Sequence, residues 1–220
     1  MAKYDYNEDA TKYDQQVKEY DSYGHDVLFG MCFEFVKPNE KILDLGIGTG
    51  LASINFSKVG LKVYGLDISD EMLNMCRMKS FTEELKIHNL SEDIIPYNDS
   101  YFNHIICSGV FHFLSALEKI FSEVARIIKE GGIFAFTIAP DLTGVEYTKQ
   151  MTSWGVPIYK HSLNYIKRLL DMNGISLLKE QRLLLKGADK LNYDMLFSAI
   201  IARCEMPYNC NTVSCSTIRR

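Results

Sequence analysis

The residues best suited to chemistry lie close together early in the chain. Leu43-Asp44-Leu45-Gly46-Ile47-Gly48-Thr49-Gly50 places three glycines at alternate positions directly after an apolar run. Glycines at the end of a strand permit a sharp turn and let a ligand approach bare backbone. The helix that follows offers free N–H groups and the positive end of its dipole to an anionic group. A second apolar run, Lys62 to Asp67, then ends in an acid. An acid at that point can accept from both hydroxyls of a ribose. A tight structural turn would give the same glycine string, but it would not account for acids at both 44 and 67. The expected ligand is a cofactor that contains a nucleoside.

The details select which one. A dinucleotide fingerprint reads G-x-G-x-x-G, whereas this chain reads G-x-G-x-G with Asp44 before it. Asp44 would repel a pyrophosphate but could receive an ammonium group. S-adenosyl-L-methionine carries an α-amino group, a carboxylate, a ribose and an adenine, and no phosphate. These residues suit it better than a dinucleotide.

Reacting groups are harder to place. Methyl transfer from a sulfonium is an in-line displacement with a neutral leaving group, so the protein mainly aligns the acceptor and excludes water. A general base is needed only for an acceptor that cannot lose its proton unaided. His112, His161 and Tyr13 are the candidates. His112 follows a strand and could face the pocket, but a packed histidine between Phe111 and Phe113 is preferred. His161 is preferred as a residue sitting near the start of its helix. His25 offers less to argue from. Tyr13 can touch cofactor or substrate, and Trp154 can close a lid or pack at the periphery. Cys107 is expected to be buried and structural. The methionines on the second core helix are expected in the core, with Met72 the one ligand contact.

The elements that position these residues alternate strand and helix. Strands are expected at 41–45, 62–67, 85–88, 101–107 and 133–138. Helices are expected at 51–58, after Ser69, and at 117–128, where Leu117, Ile120, Phe121, Val124, Ile127 and Ile128 follow helical spacing. Such a series builds one parallel sheet. No clear strand is expected between 140 and 160. A helix is expected over 162–172, followed by two long strands, 175–185 and 196–204. Their connection is too short for a crossover, so the sheet should end in an antiparallel hairpin.

Composition sets the outer limits. The 220 residues are 47% hydrophobic and 24% charged, which suits one full-sized domain and excludes collagen-like, coiled-coil and disordered classes. With 24 basic against 28 acidic side chains the net charge is −4, which gives no general attraction for phosphate backbones. A nucleic-acid partner is therefore disfavoured. No window approaches 18 uncharged apolar residues, so no membrane partner is expected. The six cysteines include no C-x-x-C pair and point to a reducing, cytoplasmic location. Cys204, Cys210 and Cys215 match no common zinc spacing, so no metal is expected.

Five motifs in register complete the picture: Ile42 to Gly50; Gly65 to Ser69 with Glu71-Met72-Leu73; Asn89-Leu90 with Ile95-Pro96-Tyr97; Ile106 to Phe113; and Glu123 to Gly132. With them the chain resembles a class I S-adenosylmethionine-dependent methyltransferase of the type 11 group, which includes the ubiquinone/menaquinone-biosynthesis methyltransferases. The resemblance covers about residues 10–140, and more loosely to 204. It implies a Rossmann-like α/β fold, doubly wound, with a seven-stranded, mostly parallel sheet of order 3-2-1-4-5-7-6 and a C-terminal antiparallel hairpin. It implies a single domain over 1–204. Within it, 1–36 forms N-terminal lid helices, 40–139 the cofactor-binding core, 140–161 a substrate lid, and 162–204 a closing helix and hairpin; 205–220 is a loose tail. Asp44, Gly46, Ile47, Gly48 and Gly50 would hold the methionine end. Asp67 would hold the ribose, Ile68 and Met72 would flank the adenine, and Asn89 and Leu90 would meet its edge. Ser108 would lie near the amino group. Ala10 to Asp14 resembles the family's opening string, in which the tyrosine, here Tyr13, closes over the cofactor. The family usually has aspartate at 89 and 103, where this chain has Asn89 and Asn103. The activity implied is methyl transfer to a small-molecule substrate by a monomer or homodimer. The alternatives are a tRNA or protein methyltransferase and a non-catalytic scaffold that binds the cofactor.

Overall fold

The computed structural model describes residues 10–19, 22–91, 94–152, 155–186 and 194–205. Trp154, Cys210, Cys215 and the tail beyond 205 lie outside the described residues. Two helices open the chain, α1 (Tyr13–Glu19) and α2 (Gly24–Cys32). The core alternates β1 (Lys41–Leu45), α3 (Ile54–Lys58), β2 (Lys62–Asp67), α4 (Asp70–Met78), β3 (Thr82–Ile87), β4 (Phe102–Cys107), α5 (Glu118–Ile127) and β5 (Ile128–Ile138). Three short strands follow, β6 (Pro140–Asp141), β7 (Tyr147–Met151) and β8 (Pro157–Ser162). The chain then runs through α6 (Leu163–Met172), β9 (Ile175–Lys186) and β10 (Asp194–Cys204).

Seven strands form one sheet in the order β3-β2-β1-β4-β5-β10-β9. The expected order and the closing hairpin are both present, since β10 runs antiparallel to β5 and to β9. Strand alternation explains how both faces are covered. Leu43 and Leu45 of β1, Phe134 and Phe136 of β5, and Ile200 and Ala202 of β10 face α5 and α6. Ile42, Ile133, Ala135, Ala199 and Ile201 face the core on the opposite side, with α2, α3 and α4. A strand buried on both faces reads as a continuous apolar run, which is why β1 and β4 were legible.

Local capping fixes two helix starts. The Ser69 hydroxyl accepts the Met72 N–H at 3.1 Å and opens α4. The Ser162 hydroxyl accepts the Tyr165 N–H and opens α6. Between β3 and β4 the chain is held by one cation: the Arg126 guanidinium donates to the carbonyls of Ile95 and Tyr97 and to Glu123 and Asp99.

Two expectations need correction. Helix α5 stops at Ile127, and strand pairing resumes at Ile128, ahead of the glycine pair. The Gly131-Gly132 step forms a shift in the β4–β5 register instead of the break between helix and strand. Residues 140–160, expected without strands, hold a second sheet of order β6-β8-β7. The alternation signal was missing because β7 is largely exposed and offers no apolar face. Its ends meet: the His161 N–H donates to the Ala139 carbonyl at 2.8 Å.

Asp141 organises that sheet. Its carboxylate accepts the Thr143 N–H and hydroxyl and the Thr148 hydroxyl. Asp141→Ala is expected to cost about 2 kcal/mol and to raise amide exchange in β7 and β8 before any other strand. Hydrogen-exchange mass spectrometry would check this.

Candidate functional site

The carboxyl ends of β1, β2 and β4 converge where the sheet order reverses, the usual ligand crevice of an open α/β sheet. Gly46 and Gly48 leave β1 with φ of +77° and +53°. The N–H groups of Gly46 and Ile47 donate to the Leu66 carbonyl, so the turn is sewn to the end of β2. The Gly48 N–H donates to Asp67 Oδ2 at 2.8 Å, and the Ser69 N–H donates to Asp67 Oδ1 at 2.9 Å. Asp67 therefore braces the glycine turn as well as facing the crevice. Burial raises its carboxyl above the usual range, partly offset by the N–H donors of Ser69, Gly48 and Ile68.

Asp44 is almost wholly buried. Its Oδ2 accepts the Ser53 hydroxyl at 2.5 Å, while Oδ1 is buried without a partner. Burial pushes its carboxyl up to about 7; the Ser53 bond lowers it and the charge of Asp67 raises it. A buried carboxylate oxygen without a donor is a costly arrangement. An ammonium group would satisfy it.

Two glycines complete a bare cradle. A Cβ on Gly48 or on Gly109, just after β4, would meet nothing within 4 Å. The Gly109 N–H is fixed by the buried Thr137 hydroxyl of β5 at 2.8 Å. Ile68, beside Asp67, is an apolar side chain 56% exposed, as a platform for a flat ring should be. An orphaned acceptor, an open glycine cradle and an exposed apolar platform fit S-adenosylmethionine.

The other expected residues sort as follows. Ile47 is buried in the core, so only its backbone reaches the turn. Met72 and Leu90 are buried, and Asn89 and Ser108 are half-buried. Asn89 Oδ1 accepts the Ser91 N–H, leaving one lone pair for a ligand. Tyr13 is 40% exposed. Its phenol is nonetheless raised by burial and by the charges of Asp14 and Asp67.

The histidines take different parts. His161 is fully buried, and its Nε2 lies 3.1 Å from the Phe111 carbonyl and 2.9 Å from the Leu114 carbonyl. Two carbonyls accept, so Nε2 carries the proton and ties β8 to the turn after β4. That bond, absent from the sequence-based reading, leaves His161 a tether. His112 sits in that turn, packed on Phe113 at 4.0 Å and edge-on to Phe197 at 5.4 Å. Burial, and secondarily His161, pushes its pKa down to about 4. Its Nδ1 is buried without a partner. A neutral His112 accepts a hydrogen bond and is a weak base.

Ser53, Thr137 and Asp14 were missed. Thr137 had a signal, as a lone hydroxyl in the apolar run Phe136-Thr137-Ile138. Ser53 had none, because its partner lies 9 residues away; Asp14 closes the opening string Ala10 to Asp14, but its bond to Thr49, 35 residues on, follows from no spacing.

Among the described residues, no helix is long and apolar enough to cross a membrane. The family model for a methyltransferase domain matches residues 43–136. An uncharacterized methyltransferase of Synechocystis is 32% identical over 102 residues, covering 46% of this chain and 47% of that protein. A demethylmenaquinone methyltransferase of Tropheryma whipplei is 29% identical over 97 residues, covering 44% and 41%. The chain thus spans less than half the length of these curated relatives. A Haloferax volcanii putative methyltransferase, solved in complex with the Trm112 methyltransferase activator, shares the fold at a TM-score of 0.71 and 15% identity. That match covers 90% of this chain and 95% of the other. The matched segment contains the strand end, the glycine turn, Asp67 and the turn after β4, so the similarity to a methyltransferase domain extends over the crevice itself.

Proposed function

We propose that this chain transfers a methyl group to a small-molecule acceptor bound over the carboxyl ends of β4 and β5. The observation that carries the proposal is the open cradle of Gly48 and Gly109 beside the orphaned Asp44 oxygen. When bound, S-adenosylmethionine supplies an electrophilic methyl group on a sulfonium. Asp44 would hold the amino group and Asp67 the ribose, with the glycine turn leaving room for the methionine end. Acceptance by His112 Nδ1 would orient the acceptor's proton-bearing atom, and the small sheet with α1 would exclude water. The net charge of −4 supports a small acceptor over a polyanion. So does the named acceptor of the demethylmenaquinone relative.

The test is incubation with radiolabelled S-adenosylmethionine and pooled phenols, quinols, thiols and amines. Label should pass into an extractable small molecule. Absence of cofactor binding at submillimolar concentration overturns the proposal.

Cofactor affinity should depend on pH with a definite sign. Asp44 titrates near 7 in the empty protein, so acid removes the charge that meets the ammonium group. Affinity at pH 6 is expected about tenfold below that at pH 8, and Asp44→Asn should flatten the profile. Titration calorimetry at the two pH values checks this. The same raised pKa means the empty protein loses stability as pH rises through about 7 and Asp44 is forced to ionise.

A further inference from the structure

Helix α1 has seven residues and none of them is buried. A helix this short cannot persist in water on its own. Among the described residues, one carboxylate bonds it to the elements around the crevice. Asp14 Oδ1 accepts the Thr49 hydroxyl at 2.5 Å, and Asp14 Oδ2 pairs with Lys79 Nζ at 2.5 Å. Thr49 is buried within the glycine turn, between Gly48 and Gly50. Lys79 is the C-cap residue of α4, the helix that carries Met72. One side chain therefore joins α1 to two elements that frame the cofactor crevice. The residue before it is Tyr13, whose phenol is raised by burial and by the charges of Asp14 and Asp67.

We propose that Asp14 is a positioning residue: it latches α1 onto Thr49 and Lys79, holds Tyr13 across the mouth of the crevice, and sets how long the cofactor stays bound. This rests on the cofactor reading above. The strengths of the two bonds suit a latch that opens. The bond from a buried hydroxyl to a carboxylate is the stronger part. The ion pair is partly exposed, with 21% of the Lys79 side chain and 34% of the Asp14 side chain accessible, and is screened by solvent. Because no residue of α1 is fully buried and only Asp14, Gln16 and Val17 are half-buried, releasing it costs the fold little but opens the crevice.

Surface plasmon resonance with S-adenosylhomocysteine reads the residence time on the full chain. Asp14→Ala is expected to speed dissociation about tenfold, with association unchanged or faster and the melting temperature nearly unchanged. Lys79→Met should speed it about twofold to threefold. Asp14→Lys with Lys79→Asp restores an opposite-charge pair and should recover part of the loss. Tyr13→Ala combined with Asp14→Ala should dissociate no faster than Tyr13→Ala alone, because Asp14 acts through Tyr13. Amide exchange over residues 13–19 of the ligand-free protein should rise in Asp14→Ala. Dissociation within twofold of wild type in Asp14→Ala, or a large fall in melting temperature without a change in dissociation, overturns the latch alone. A wild-type chain that binds no S-adenosylhomocysteine overturns both the latch and the function proposed above.

Discussion

Asp67→Ala is expected to weaken S-adenosylmethionine binding by more than a hundredfold while the chain stays folded. Two losses combine. The carboxylate that would take the ribose hydroxyls disappears, and so does the acceptor for the N–H groups of Gly48 and Ser69. Hydrogen bonds to a charged group are worth about 1.5–3 kcal/mol each, and those that shape the empty crevice count twice, because they also hold the glycine turn ready. Asp67→Asn separates the two parts. Its single carbonyl oxygen can keep one N–H donor, while its amide faces the other donor with hydrogens. An intermediate loss of about tenfold is expected. Titration calorimetry would read both variants, and equal affinity in all three proteins would remove Asp67 from the site.

Gly46→Ala and Gly48→Ala should fail in opposite ways although they lie two residues apart. Both glycines have positive φ, which costs an alanine about 1 kcal/mol. At Gly46 the new methyl would sit 2.4 Å from Val110 Cγ2, a short branched side chain with no room to swing away. Strain and overpacking together should cost about 3 kcal/mol. At Gly48 nothing lies within 4 Å, so stability should fall only by the backbone cost. There the methyl would occupy the space reserved for the cofactor, and affinity should drop by at least tenfold. Adding Val110→Ala should return the clash portion in Gly46→Ala and do nothing for Gly48→Ala. Urea unfolding and calorimetry on the same preparations distinguish the outcomes, and equal destabilisation by both alanines would refute the assignment.

Much of this was readable from residue order because the central strands are buried on both faces. Ile42 to Leu45 and Ile105 to Cys107 have no exposed face to blur the pattern, and the glycines after β1 mark the turn. Asp67 was legible because its role follows from its position at a strand end. The small sheet was not, since Tyr147 to Met151 faces outward and Pro140 and Pro157 suggest loops. The tether made by His161 and the bonds of Ser53 and Asp14 depend on which distant atoms the fold brings together. No spacing rule reaches from residue 161 to the carbonyl of residue 111. His112 was weighed as packed or facing the pocket. The rings of Phe113 and Phe197 support packing, and the unpartnered Nδ1 keeps the second part open to a ligand.

The bond between the His161 N–H and the Ala139 carbonyl has a consequence for how such a chain can change. The segment between them departs just after β5 and comes back beside that point. A loop with joined ends can lengthen, shorten or be replaced at small entropic cost, since closure depends only logarithmically on its length. The parallel core would be spared the exchange provided the replacement keeps His161, whose Nε2 ties the segment's end to the turn after β4. Under the function proposed here, the acceptor side of the reaction is carried on a detachable cassette, and grafting a different one between Ala139 and His161 is the natural way to re-aim the same methyl donor.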